Sequence, residues 1–573
     1  MFKFLFKYFK KYKLSLALTG VLYLVASASA LAMPNLMSRI IDDGIRNSNI
    51  KTVYVLSGIM LSIAVVSFLL AIVGKKMNAV VSNSIAEDMR NDVFEKINSL
   101  TFEEFSSIGS SSLLTRANED VFALQDVANS FVYAVTNVPV MLFGGVILSL
   151  LKDFSIALIL LSVIPIVAFI VFLLVKKMGR LWEISNKYCD KQNKLVRERL
   201  TGIRVIRAFD KERYEHGRIS EATDVMADNM IRANVLSSLI TPVSLLLLNV
   251  VTVAVIYVGA IRMQNPAILK AGDIIAIIQY VGIASNGLLA AVWVFAWLPH
   301  FKVSARRVNE VLSLKGVPES EDKAKYIRGD IRITNLSFTY PHAKLPALTD
   351  VNMNIEEGET VAIIGGTGSG KTTLIKLLAG FYEPTEGTIL FGGYDYSALT
   401  TDDVRSNISV ALQKSMIFEG TIKDNVMMSK TDAGDEEVFH ALETARMADY
   451  VNSHKEGIYY ELSQSGANLS GGQKQRINIA RTIFKKSSVY VFDDSFSALD
   501  FLTESKLRRA LSVELKGKTQ IIITQRISTA IHSDRIFVMA NGKIVGEGSH
   551  DDLINTCEIY KEIYASQMGE VKK

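Results

Sequence analysis

Cysteine, proline and tryptophan are all scarce in this sequence, and long stretches carry no charge. Its 573 residues include two cysteines, Cys189 and Cys557. Two thiols so far apart exclude a disulfide framework and a cysteine-built zinc site, and they read as incidental. Prolines number ten, and none falls in 75–130 or 176–237. Those two segments are also poor in glycine for most of their length, so they are expected to be long helices rather than loops. The net charge of +5 is small for this length and gives no reason to expect a nucleic-acid partner.

The absence of charge is the most informative of these gaps. Six apolar stretches, at 14–36, 52–73, 131–150, 154–175, 238–261 and 274–298, contain no Asp, Glu, Lys or Arg. Each is close to the ~20 residues that a bilayer-spanning helix requires. An even number of spans returns both chain ends to one side. Segments 1–13, 75–130 and 176–237 together carry 24 Lys and Arg, against 6 in segments 37–51, 151–153 and 262–272. That bias places the first set, and both ends, in the cytoplasm. The basic start, MFKFLFKYFKKYK, precedes an apolar run too long for a signal-peptide core and without a clear cleavage site. An uncleaved first span is expected.

The pattern changes near residue 300. A helix is expected over Phe301–Leu314, then a polar linker opening Gly316-Val-Pro-Glu. Short β-rich runs follow at Ile331–Ile333, Val361–Ile364, Ser488–Phe492, Gln520–Thr524 and Arg535–Met539, alternating with helical ones. This is the pattern of an α/β domain with a largely parallel core. The expected organisation is a membrane all-α six-helix transmembrane domain over 1–315, a linker over 316–329 and an α/β domain over 330–573, which the motif GGTGSGKT at 365–372 marks as a P-loop ATPase domain.

The second half holds the chemistry. GGTGSGKT at 365–372 lies between the apolar run Glu359–Ile364 and the helix-like run Thr373–Leu378. Strand, glycine loop and helix are the context in which G-x-x-x-x-G-K-[ST] binds a nucleotide. Gly365, Gly366, Thr367, Gly368, Ser369 and Gly370 bring backbone N–H groups together on an anion, with few Cβ atoms in the way. The helix N-terminus carrying Thr373 adds positive potential. Lys371 is assigned to the outer phosphates and the Thr372 hydroxyl to Mg²⁺. Ser488-Val-Tyr-Val-Phe-Asp-Asp494 reads as a buried strand ending in two carboxylates. Asp493 is assigned to Mg²⁺ through water, and Asp494 to the neighbourhood of the γ-phosphate.

LSGGQKQR at 469–476 opens a second helical run. Ser470, Gly471, Gly472 and Gln473 at a helix start suit a second phosphate contact. Two such loops, each opening its own helix, cannot easily meet one ATP within one domain. Two domains packed head to tail solve this, each signature capping the other's nucleotide.

With these pieces in this order, 330–565 resembles an ABC transporter nucleotide-binding domain. The whole chain resembles a half-transporter of the multidrug-exporter type. The resemblance implies ATP and Mg²⁺ as cofactors, Tyr340 of FTYP stacking on adenine, and Gln413 touching both Mg²⁺ and the membrane domain. It also implies that Ser497-Ala-Leu-Asp500 is the loop through which paired domains communicate. In the first half, Phe105-Ser-Ser-Ile-Gly109 with Arg116 and Asp120-Val121 resembles the first coupling region of such exporters. Glu198–Phe209 resembles the second.

Three positions depart from that family's pattern. The general-base glutamate is replaced by Asp494, one methylene shorter and with less reach to an attacking water. The switch histidine is replaced by Gln525, which can hydrogen-bond a γ-phosphate but cannot carry positive charge. The acidic-basic pair before the signature is replaced by Gln464 and Ser465. Asp494 and Gln525 fall on one hydrolytic half-site, while the phosphate loop and signature are intact. The combination resembles one subunit of a heterodimer with one degenerate and one competent ATP site. Asp494, Gln525 and Gln413 are the candidate catalytic residues. The partner implied is a second half-transporter; a homodimer with slow turnover is the alternative.

The uncharged spans suit amphipathic, drug-like or lipid-like cargo in contact with membrane lipid. Their polar and aromatic exceptions are Asn137, Asn249, Tyr280, Asn286, Trp293 and Trp297. A non-transporting regulatory membrane ATPase competes with the exporter reading. An importer ATPase is disfavoured, because common importers keep membrane and ATPase parts on separate chains.

Overall fold

The structure, a computed structural model, describes residues 2–264, 269–317, 324–341, 343–430 and 432–568. Part of the linker and the side chains of Trp293 and Trp297 lie outside the described residues. The chain divides into two compact units, one of 1–98 with 109–314 and one of 99–108 with 315–573.

The first unit is all helix. Its long elements are α1 (Lys13–Arg39, prolonged by a π turn over Ile40–Ile45), α2 (Ile50–Ser99), α3 (Val121–Lys152), α4 (Phe154–Thr201), α5 (Glu212–Arg262) and α6 (Ala271–Leu312). Among the described residues, six helical segments are long and apolar enough to cross a membrane. In their most apolar windows no more than 39% of residues are buried. Apolar faces left this open belong in lipid, so this is a multi-pass membrane protein. α2, α4 and α5 run for 50, 48 and 51 residues. At ~1.5 Å per residue each is about 75 Å long, well beyond the ~30 Å hydrocarbon layer. The proline-free segments are therefore helical extensions of the spans.

Where the spans turn back after α1, α3 and α5, their ends are tied by charge. Lys152 Nζ lies 2.7 Å from Asp273, and Arg262 Nε lies 2.9 Å from Asp153. The Gly272 N–H donates to buried Asp42 at 3.0 Å. Tyr280, one of the aromatic exceptions in the spans, is 1% exposed and donates its hydroxyl to the Leu31 carbonyl. A phenol packed between two helices needs such an acceptor, and this one ties α6 to α1. Asn249 and Asn286 are exposed, whereas Asn137 Oδ1 is buried without a partner.

The second unit has two main sheets. An antiparallel one joins β1 (Ile331–Phe338), β2 (Leu348–Ile355), β4 (Glu386–Phe391) and β5 (Tyr394–Asp395) in the order β2-β1-β4-β5. The other contains β3 (Thr360–Gly365), β6 (Ile408–Ala411), β9 (Val489–Asp493), β10 (Thr519–Thr524), β11 (Arg535–Ala540) and β12 (Lys543–Gly548), in the order β12-β11-β3-β10-β9-β6. Its neighbours are parallel except β11 and β12. β7 (Gly420–Thr421) and β8 (Glu461–Leu462) form a small separate pair. Three helices bear on the site: α7 (Lys371–Leu378), α8 (Gly471–Phe484) and α9 (Phe501–Glu514). β3, β9 and β10 are almost wholly buried, which accounts for their continuous apolar runs.

The short helix Phe102–Ile108 belongs to this second unit. Thr101 and Glu104 cap it reciprocally, and Glu104 also accepts the N–H groups of Lys315 and Gly316. The Phe102 ring stacks on Phe381, with centroids 5.3 Å apart. The other short connecting helix, Ile203–Ala208, lies in the first unit. There Val205 and Phe209 are exposed by 61% and 71%.

Candidate functional site

β3, β10 and β9 are parallel neighbours, so the segments leaving their C-terminal ends share one edge of the sheet. β3 delivers the glycine loop, β9 delivers Asp493 and Asp494, and β10 delivers Gln525. These converge on a cavity of about 420 Å³ whose lining includes Thr367–Thr373, Gln413, Asp493, Asp494 and Gln525. Eleven residues singled out from the sequence thus share one space.

The loop's shape follows from its glycines. Gly370 has φ 103°, and a Cβ there would meet Leu348 Cδ2 at 2.7 Å. A Cβ at Gly365 would run into the Met539 carbonyl on β11. Lys371 Nζ donates to the carbonyls of Gly365 and Gly366, each at 2.7 Å, and to Ser369 Oγ at 3.1 Å. Its ammonium is thus held at the mouth of the loop that an anion enters. Burial lowers its pKa, and the charges of Asp493 and Asp494 oppose that shift. Asp493, 2% exposed, is pushed up to about 6 by burial and by Asp494 beside it, against the pull of Lys371. Asp494 sits at φ 47°, and its N–H donates to the Ile523 carbonyl at 3.0 Å. That anchors its backbone to the strand carrying Gln525.

A divalent cation fits the donors present. Thr372, Gln413 and the buried carboxylate of Asp493 supply hard oxygen atoms to one cavity. Among the described residues no group of three or more His, Cys, Asp or Glu is arranged to hold a metal. One carboxylate completed by phosphate oxygens is the usual arrangement for Mg²⁺.

Other expected residues lie outside this cavity. Tyr340 is half-buried among Phe338 and Tyr382, and its hydroxyl lies 3.0 Å from Thr373 Oγ1. Ser470 and Gln473 form a reciprocal cap at the start of α8, so LSGGQ opens a helix. Asp500 caps α9 through the Thr503 N–H. Neither Ser470–Gln473 nor Asp500 lines the cavity beside Lys371.

Residues 16–288 match the ABC transporter transmembrane region, and 348–497 match the ABC transporter family. An uncharacterized ABC transporter ATP-binding protein of Mycobacterium tuberculosis is 32% identical over 568 residues, covering 98% of this chain and 97% of that protein. The chain belongs to the ABC transporter family. A second such relative, YfiB of Bacillus subtilis, is 32% identical with 98% of each chain covered. The ATP-dependent lipid A-core flippase of Chromobacterium violaceum is 26% identical over 95% of this chain and 94% of its own. A bacterial Atm1-family ABC exporter solved with ATP bound has the same fold, with TM-score 0.84, 22% identity, and 98% and 99% of the two chains covered. This ABC transporter accordingly has an exporter fold with an ATPase domain, the class of domain that binds and hydrolyses ATP.

Several residues around the ABC transporter's switch were not legible in its sequence. Arg526, next to Gln525, donates to buried Glu504 at 3.0 Å and to the Ser497 carbonyl at 2.8 Å. Gln567, near the end of the last described helix, donates to the Gln525 carbonyl at 2.6 Å and accepts the Ile527 N–H at 2.9 Å. Glu504 follows Ser497-Ala-Leu-Asp500 by only four residues, which was the one available hint. The Gln567 contact spans 42 positions and had no local signal.

Proposed function

We propose that this chain is one subunit of an ATP-driven exporter that moves amphipathic, drug-like or lipid-like compounds out of the cytoplasm or inner leaflet. In this reading the N-terminus and the ATPase domain face the cytoplasm of a cell-membrane protein. Thr367–Thr373 hold the nucleotide phosphates, Tyr340 takes the base, and Mg²⁺ is held by Thr372, Asp493 and Gln413. The chain's own ATP site is degenerate, and its Ser470–Gln473 complete the competent site of a second half-transporter.

The observation that carries this reading is the company Asp494 and Gln525 keep. Both line the cavity that contains Lys371 and Thr372, while the signature lies elsewhere in the chain. A shorter carboxylate and an uncharged amide at the hydrolytic end leave phosphate binding intact and weaken activation of water. Exposed Val205 and Phe209 on a short connecting helix offer apolar surface to a second subunit.

Purification of the tagged full chain from its native host, followed by mass measurement of the complex, tests the assembly. A stoichiometric second half-transporter is expected. A homodimer would leave Asp494 and Gln525 as the only hydrolytic equipment and remove the asymmetric reading.

A further inference from the structure

A second cavity, of about 360 Å³, lies in the ATPase unit behind the switch segment. Apolar Phe492, Phe496, Leu511 and Ile522 line it beside one face of α9. Arg508 and Arg509 project from that face, and His532 faces them from the segment after β10. No carboxylate lines the cavity. The two nearby carboxylates are already engaged, Glu504 by Arg526 and Thr529 and Asp534 by the Thr360 N–H.

The cations are incompletely satisfied. Arg508 gives one N–H to the Ser528 carbonyl at 3.2 Å, and its Nε is buried, 3.7 Å from Glu504 and without a hydrogen-bond acceptor. The hydroxyl of Ser533, also in the lining, is buried without a partner. The side chains of Arg509 and His532 pair with no other side chain among the described residues. Burial and the Arg508 charge hold His532 below its usual value, against Glu504, a shift that an incoming anion would reverse.

We infer that this cavity is an anion site for a soluble organic phosphate with an apolar portion. The phosphate would lie between Arg508, Arg509 and His532, and the apolar part against the apolar side of the lining. Converging guanidinium and imidazole groups recognise a phosphate by charge-assisted hydrogen bonds. The volume is within the range of small-molecule pockets, and Phe492, Phe496, Leu511 and Ile522 give the lining an apolar side. Among the described residues, the unit holding the cavity has no helix long and apolar enough to cross a membrane, which favours a soluble anion over a lipid headgroup. This site is distinct from the ATP cavity, and the inference does not depend on how that cavity works or which subunit pairs with the chain.

The probe is 1-naphthyl phosphate, titrated by fluorescence against the purified full-length complex in non-ionic detergent. A saturating non-hydrolysable ATP analogue is present throughout to fill the ATP cavity. One saturable site per chain is expected, with inorganic phosphate competing weakly. Arg509→Gln and His532→Gln each remove one exposed contact and should weaken binding roughly fivefold. Arg508→Gln should abolish binding, but it also removes a packed side chain, so the two exposed substitutions decide the matter. Unchanged affinity in the Arg509→Gln/His532→Gln double variant overturns the inference. So does equal saturable binding of neutral 1-naphthol, or failure to bind once the ATP analogue is present.

Discussion

At the scale of single residues, the reading depends on one methylene and one ring. Asp494 is fixed through its backbone to β10 and stands beside buried Asp493. Its carboxylate cannot regain the lost reach by moving its backbone without breaking that hydrogen bond. Asp494→Glu should therefore raise ATP turnover at this chain's own site, by about tenfold and more when combined with Gln525→His, because a misplacement near 1 Å costs roughly a hundredfold. Steady-state hydrolysis by the assembled complex, with nucleotide affinity measured in parallel, checks this. Unchanged turnover at unchanged affinity would mean that Asp494 already serves as a full base. Glu504 allows a stability prediction of the same grain. It is 2% exposed and holds Arg526 and Thr529, so Glu504→Ala leaves Arg526 and Arg508 without their buried counter-charge. The cost should be about 3 kcal/mol, read as a lower midpoint in thermal unfolding of the purified protein.

Among elements, the segments that tie helices together make sharper predictions than the spans themselves. Burial raises the pKa of Glu104, but the N–H groups of Thr101, Gly316 and Lys315 outweigh it and hold the carboxyl below its usual value. A depressed carboxyl stabilises the fold above its unfolded pKa of about 4.3, and the contribution is lost as pH falls through the lower folded value. Hydrogen exchange at Lys315 and Gly316 should thus be about tenfold faster in Glu104→Gln than in the parent at pH 6. The two should converge in acid, below the folded pKa. Gly272→Ala is a second case, since a Cβ there would sit 2.6 Å from Asp42 Oδ2 and against the Ser38 carbonyl. Overpacking of this kind costs about 1–3 kcal/mol, again measured as a thermal shift. The spans were legible because twenty uncharged residues have few other fates, and their extensions because they hold no proline, although they are interrupted at 100–101, 109, 202 and 209–211. The parallel strands β3, β9, β10 and β11 were legible because burial on both faces makes continuous apolar runs, whereas four-residue β6 did not stand out. The antiparallel sheet was not: β1 alternates buried and exposed positions and is interrupted by register shifts against both neighbours, so only Ile331–Ile333 stood out. Assignment of 99–108 to the second unit was illegible too, since it rests on Glu104 and Phe102 meeting residues more than 200 positions away.

For the whole molecule, the proposed pairing turns on one chain carrying half of each of two sites. In the proposed pair, the phosphate loop serves the site that turns over slowly, and LSGGQ serves the site that turns over fast. Two substitutions in the same polypeptide should then have unequal effects. Lys371→Ala removes an ammonium that faces Asp493 and Asp494 in the cavity, so ATP binding at that site should be lost. The assembled complex should nevertheless keep a substantial part of its turnover. In α8, a Cβ at Gly472 would meet the Ala498 carbonyl, a backbone atom, at 3.2 Å and Leu499 Cδ2 at 3.3 Å. Gly472→Val should therefore displace the start of the signature helix and reduce turnover by tenfold or more, while this chain's own phosphate loop still binds ATP. Hydrolysis and nucleotide trapping on the two variants, each purified with its native partner, provide the measurement. If both substitutions abolish turnover alike, the two sites are equivalent and the chain works as a symmetric pair. If only Lys371→Ala is severe, this chain's own site is the active one, and Asp494 is its base.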